Sequence, residues 1–196
     1  FYIPNPSDQS FETLNNFNKS CNVDVFFALS HGVHRGVLKS GKIDDRILFL
    51  NNLKNNTPNV KFDIYGIDKI QPIWADHYFK TISNAKMGLN LSRGEAIKYY
   101  SSDRITQIVG NGLVCLIDEK TSYRNFFNSD EMVFYKSIND LSEKITRISS
   151  DESLRKKIAR KGKIKYMKYF NSDLVSEYII DKTLDIKSNK KYLWEE

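Results

Sequence analysis

Two stretches of this chain carry residue types able to hold an anion: Ser30-His31-Gly32-Val33-His34-Arg35-Gly36 and Ser101-Ser102-Asp103-Arg104. In the first, Gly32 and Gly36 let backbone N–H groups come close to a phosphate, and Arg35 adds a guanidinium. In the second, a helix opening at either serine would aim unpaired N–H groups at an anion. Asp103 suits the positive end of that helix dipole, and Arg104 supplies another cation. Such donors stabilise charge that develops on a departing phosphate group. His31 and His34 have no H-x-E or paired-cysteine spacing beside them, so no metal is expected.

These stretches need a frame to face one another, and the apolar pattern supplies it. Val23 to Leu29, Val60 to Tyr65, Met87 to Leu91 and Leu113 to Ile117 read as strands, the last two too apolar to have a wet face. Between them, Asp45 to Lys54 reads as a helix with Ile47, Leu48, Leu50 and Leu53 inward. Ser101 to Val109 reads as another, seated on Ile105, Ile108 and Val109 and stopped by Gly110 and Gly112. The expected fold is α/β, a Rossmann-like doubly wound parallel sheet. In such a sheet ligands bind outside the carboxyl ends of the strands, so the loop at Ser30, the turn at Gly66 and the helix start at Ser101 share one edge. Ile70 to Ile73 reads as a short strand and Tyr78 to Ala85 as a helix, with Trp74 and Tyr78 as packing residues rather than a base-stacking platform. Beyond Asp118, Met132 to Tyr135 reads as the last strand. Three helices follow: one capped near Ser137, one from Asp151 that Gly162 would break, and one over Phe170 to Leu184 with Leu174, Tyr178 and Ile179 inward.

The order of these features resembles the donor-binding domain of GT-B glycosyltransferases of the group 1 type. FYIPNPSD at the start resembles that family's I-P-N-G-x-D segment, and the stretch from Glu95 to Gly112 is similar to its E-x(7)-E-A-x-A-x-G. Aligned on the glycine, Gln107 stands where the second Glu usually sits; aligned on acidic residues, Glu95 pairs with Asp103. The first register is preferred because the helix and turn set it. The resemblance implies that Gln107 meets the nucleotide ribose, that Glu95 is the acidic residue near the sugar, and that Arg35, Arg104 and the N–H groups of Ser101, Ser102 and Asp103 meet the diphosphate. Gly32, Gly36 and Gly66 would line the same edge. Gln107 departs from the pattern, since it can donate and accept but carries no charge.

A nucleoside-diphosphate sugar is thus the implied donor, with no separate cofactor, and a carbohydrate or lipid-linked molecule the implied acceptor. An amino-terminal acceptor-binding domain would precede Phe1, leaving this chain inactive alone. The alternative is a Rossmann-like domain that binds a nucleotide or a partner without turnover. A dinucleotide oxidoreductase is disfavoured, because no G-x-G-x-x-G joins a strand to a helix. Residues 1–22 read as an opening segment and linker, 23–184 as the nucleotide-sugar-binding domain with its helical tail, and 185–196 as a loose terminus.

Composition agrees with a folded domain of this kind. Over 196 residues, 40% are hydrophobic, 28% charged and 13% aromatic, enough to build a core. The net charge of +6 gathers in Arg155 to Lys168 and Lys187 to Lys191. A solvated helix face explains most of it; a weak attraction to anionic headgroups is the functional reading, and nucleic acid is not expected. Cys21 and Cys115 read as free thiols, with Cys115 inside a strand, which suits a cytoplasmic protein, peripheral at the inner membrane face.

Overall fold

A computed structural model describes residues 1–30, 44–187 and 190–195 of the chain. Five strands, β1 (Val23–Ala28), β2 (Phe62–Tyr65), β3 (Ala85–Asn90), β4 (Val114–Asp118) and β5 (Val133–Tyr135), form one sheet in the order β2-β1-β3-β4-β5, with every neighbouring pair parallel. Helices α1 (Asp45–Asn56), α2 (Ala75–Ile82) and α3 (Arg104–Gly110) make the first three crossovers, and α4 (Ile138–Ser150), α5 (Glu152–Tyr169) and α6 (Ser172–Thr183) follow β5.

Side chains alternate across the sheet with a period of two, and this divides the core. Val25 and Phe27 of β1 with Val114 and Leu116 of β4 face Leu50 and Leu53 of α1 and Leu141 and Ile145 of α4. Phe26, Cys115 and Ile117 face the other way, onto Ile105, Ile108 and Val109 of α3 and Tyr166 of α5. The sheet is therefore covered on both faces, as expected. After β1 the chain moves to one side to make β2, then returns to the other side of β1 to make β3. That reversal is the topological switch point, where parallel sheets of this kind hold their ligands.

Residues 1–22 are woven into the domain. The Asn5 amide donates to the Ser101 carbonyl at 3.1 Å and its hydroxyl at 3.0 Å, and Tyr166 Oη donates to the Asn5 carbonyl at 2.8 Å. The buried Asn16 amide donates to the Ile82 and Ala85 carbonyls, each at 2.8 Å. Arg155, wholly buried, donates to the Asn16 and Lys19 carbonyls at 2.9 Å each and pairs with Glu152 at 2.5 Å.

Several expectations are corrected. Ile70 to Ile73 is not a strand, and α2 begins earlier, at Ala75. Leu48 points to water, and the buried face of α1 is instead Arg46, Leu50 and Leu53. Gly162 does not break α5; a Cβ there would lie 2.4 Å from the Glu131 carbonyl oxygen, so the glycine lets the helix press against the turn before β5. On α6 the inward residues are Val175 and Tyr178, while Ile179 is exposed. Residues 190–195 are not loose either. Tyr192 and Trp194 are buried, with the Trp194 ring 5.4 Å from Phe170 and the Tyr192 ring 4.8 Å from Tyr178. Among the described residues no helix is long and apolar enough to cross a membrane.

Candidate active site

A cavity of about 460 Å³ opens at the switch point. Its floor is the end of β1, Ala28 to Ser30; one wall is the start of α2, with Trp74, Tyr78 and Phe79. The other wall is α3, with Asp103, Arg104, Gln107 and Asn111, and the N-terminal segment closes one side with Phe11 and Glu12.

Arg104 is the cation of the described lining, with Asp103 and Glu12 as its carboxylates. One terminal nitrogen donates to the Leu91 carbonyl at 2.8 Å, the guanidinium lies 5.4 Å from the centre of the Phe27 ring, and Nε is buried with no hydrogen-bond partner. Among the described residues no carboxylate pairs with it. Burial lowers its pKa, and the nearby Arg46 guanidinium pushes in the same direction. Arg46 is itself held by Asp44, at 2.9 Å to Oδ1 and 2.6 Å to Oδ2, so its charge is already satisfied. Arg104 is thus a cation taken partly out of water with donor capacity left over, a state that an incoming anion relieves.

Gln107 sits one helical turn further along the same wall. The Tyr78 hydroxyl donates to its Oε1, and among the described residues the amide nitrogen has no acceptor, which leaves that group as donor capacity on the cavity wall. Glu12 contributes a carboxylate whose Oε2 accepts from the Asp8 N–H at 2.7 Å, and burial raises its pKa.

Asp103, Arg104 and Gln107 come together on the cavity wall. Ser101 and Ser102 do not cap α3, which begins at Arg104, after Asp103, with no side-chain cap. Ser101 is buried with its hydroxyl 2.8 Å from Tyr123 Oη, and the Ser102 hydroxyl donates to Asn90 Oδ1 at 3.1 Å. Tertiary partners have taken the capping oxygens, and a helix of seven residues carries little dipole of its own. Glu95 is exposed in the loop after β3, off the cavity wall. Gly66 also lies off that wall, with φ +75° beneath the Leu29 carbonyl. Gly32, Arg35 and Gly36, with His31 and His34, lie outside the described residues. Trp74 is not packed in the core; it stands exposed on the cavity rim. Sequence reasoning missed Glu12, Tyr78 as the partner of Gln107, and Asn111. A carboxylate brought from the N-terminal segment leaves no local signal.

A sequence model described as glycosyl transferase-like matches residues 46–181 of the chain. The chain belongs to the glycosyl transferase-like family. No curated protein matches it. Among solved structures, a mutant of S. aureus TarM in complex with fondaparinux, alpha-GlcNAc-glycerol and UDP superposes with a TM-score of 0.64 at 13% identity, over 92% of this chain and 38% of that one. HepE of Anabaena in complex with UDP gives a TM-score of 0.57 at 9% identity, over 84% and 49%, and an alpha1,3-fucosyltransferase with GDP-fucose gives 0.57 at 12% identity, over 92% and 51%. This glycosyl transferase-like chain therefore spans between 38% and 51% of the length of those structures and shares the Rossmann-like fold of their matched parts.

Proposed function

We propose that this chain is the donor-binding half of a glycosyltransferase, holding a nucleoside-diphosphate sugar in the switch-point cavity for transfer to a carbohydrate or lipid-linked acceptor. The observation that carries this reading is Arg104, a partly desolvated guanidinium with an unpartnered Nε that, among the described residues, makes no ion pair with the carboxylates of Asp103 and Glu12 in the same cavity. The cavity volume of about 460 Å³ suits a nucleotide. In support, proteins of the same fold are described with UDP and with GDP-fucose.

In this scheme the diphosphate lies against Arg104, and as the glycosidic bond breaks the guanidinium neutralises the charge left on the departing oxygen. Arg35, which follows β1 in the sequence and lies outside the described residues, is assigned the same task. Asp103 and Glu12 are unsuited to phosphate but suited to hydroxyls, so they fall to the ribose or the sugar, together with the amide nitrogen of Gln107. Glu95 is given no step. The acceptor would be held by an amino-terminal domain, and the exposed Lys157, Arg160 and Lys168 of α5 would favour an anionic membrane surface nearby.

Calorimetric titration with UDP, GDP and ADP, each against its monophosphate, tests the reading. The diphosphates should bind more tightly, and equal weak binding of both classes would remove it. Gln107→Leu should weaken nucleoside diphosphate binding by about 1–2 kcal/mol without lowering the melting temperature. Tyr78→Phe, which only frees the amide to rotate, should cost less, below about 1 kcal/mol. The reverse ordering would show that Gln107 does not face the ligand. The uncharged Gln107 also favours a second reading, nucleotide binding without turnover; measurable sugar transfer by the intact protein decides against it.

A further inference from the structure

The rim of the same cavity carries three aromatic side chains that folding leaves in water: Phe11 at 68% exposure, Trp74 at 60% and Phe79 at 41%. Among the described residues neither Phe11 nor Trp74 stacks on any ring, and Phe79 meets only Tyr78. Large aromatics are usually the first residues a domain buries, so three exposed around one opening need an explanation other than packing.

The backbone beneath them is also unusual. Trp74 is extended, at φ −137° and ψ 161°, and the next residue, Ala75, opens α2 with a left-handed φ of 45°. An L-residue with a side chain is strained there, and such strain is kept where the surroundings impose it. Here it turns the chain sharply between the extended segment and the helix, with the indole left on the outside.

We propose that Trp74, flanked by Phe79 and Phe11, is the platform on which the base of the bound nucleotide stacks. This rests on the nucleoside-diphosphate reading of the cavity and adds how the base is recognised. Arg104, Gln107, Asp103 and Glu12 account for phosphates and hydroxyls, whereas the rim offers ring faces and one indole N–H. Every base has a π-face, so recognition by stacking tolerates all of them and favours the larger purines. The site therefore discriminates weakly among bases, and ADP binds at least as tightly as UDP.

The test uses pyrophosphate, UDP and ADP as probes on the full chain, with affinity read by calorimetry and contact by tryptophan fluorescence. Trp194 is only 3% exposed, so ligand-dependent quenching reports on Trp74. UDP and ADP should quench and pyrophosphate should not. Trp74→Ala should weaken UDP and ADP by roughly five- to fiftyfold, leave pyrophosphate unchanged, and melt like the parent, while Trp74→Phe restores most of the loss. The proposal is overturned if UDP and ADP bind the parent and Trp74→Ala alike, or if Trp74→Ala weakens pyrophosphate as much as UDP. Failure of all three probes to bind the parent would instead remove the diphosphate reading, and the base platform with it.

Discussion

Replacing Arg104 with methionine should weaken nucleoside diphosphate binding by about 2–3 kcal/mol, the usual scale for hydrogen bonds to a charged group, while leaving the melting temperature unchanged or slightly higher. The two effects point in opposite directions because the residue serves a ligand more than the fold. Among the described residues its guanidinium makes one hydrogen bond, to the Leu91 carbonyl, and buries Nε without a partner. Burial and the neighbouring Arg46 both disfavour the charge, so the folded protein gains little from it. Methionine fills similar volume over Phe27 with no charge to desolvate, and swaps of this kind at buried ionic sites are often neutral or stabilising. Arg104→Lys should recover only part of the affinity, since a point charge cannot present the two-pronged donor of a guanidinium. An Arg104→Met protein that binds UDP like the parent would remove the central cation of the proposed site. One that melts several degrees lower would make Arg104 a structural residue instead.

The contrast with Ser101 and Ser102 shows what the sequence could and could not convey. The apolar runs that make β1, β3 and β4 were plain, because strands covered on both faces leave no choice of side chain. The inward face of α3 was equally plain from Ile105, Ile108 and Val109, and that spacing also brought Asp103, Arg104 and Gln107 to one wall. The start of α3 was misread for a physical reason. A serine before an apolar-periodic run is a good cap locally, but Asn5 and Tyr123, distant in sequence, compete for the Ser101 hydroxyl and win. Trp74 was misread in the same way, since an aromatic beside an apolar run usually goes inside and nothing local announces the left-handed turn at Ala75. Tyr192 and Trp194 sit among lysines in a stretch that reads as a solvated end. Their burial depends on a pocket made by Phe170 and Tyr178, which only the folded tail supplies.

Gly66 yields the largest expected loss of stability. It follows β2 at the carboxyl edge of the sheet, where the resemblance would have it meet the donor, yet the structure gives it a different task. A Cβ at this position would lie 1.7 Å from the Leu29 carbonyl oxygen and 2.5 Å from its carbon, and the backbone φ of +75° is strained for any residue with a side chain. The obstacle is backbone at the end of β1, which cannot swing aside as a flexible side chain would. Leu29 is fixed from the same direction, its N–H donating to the Tyr65 carbonyl at 2.9 Å, and the Gly66 N–H donates to the Gln71 carbonyl at 3.2 Å. Gly66→Ala must therefore separate β1 from β2 at their carboxyl ends or invert the turn. Either should cost more than about 3 kcal/mol, on the order of ten degrees of melting temperature for a domain of this size. Thermal melting followed by circular dichroism decides the matter. A Gly66→Ala protein that melts with the parent and loses only nucleotide affinity would return the glycine to the binding site and contradict the packing account.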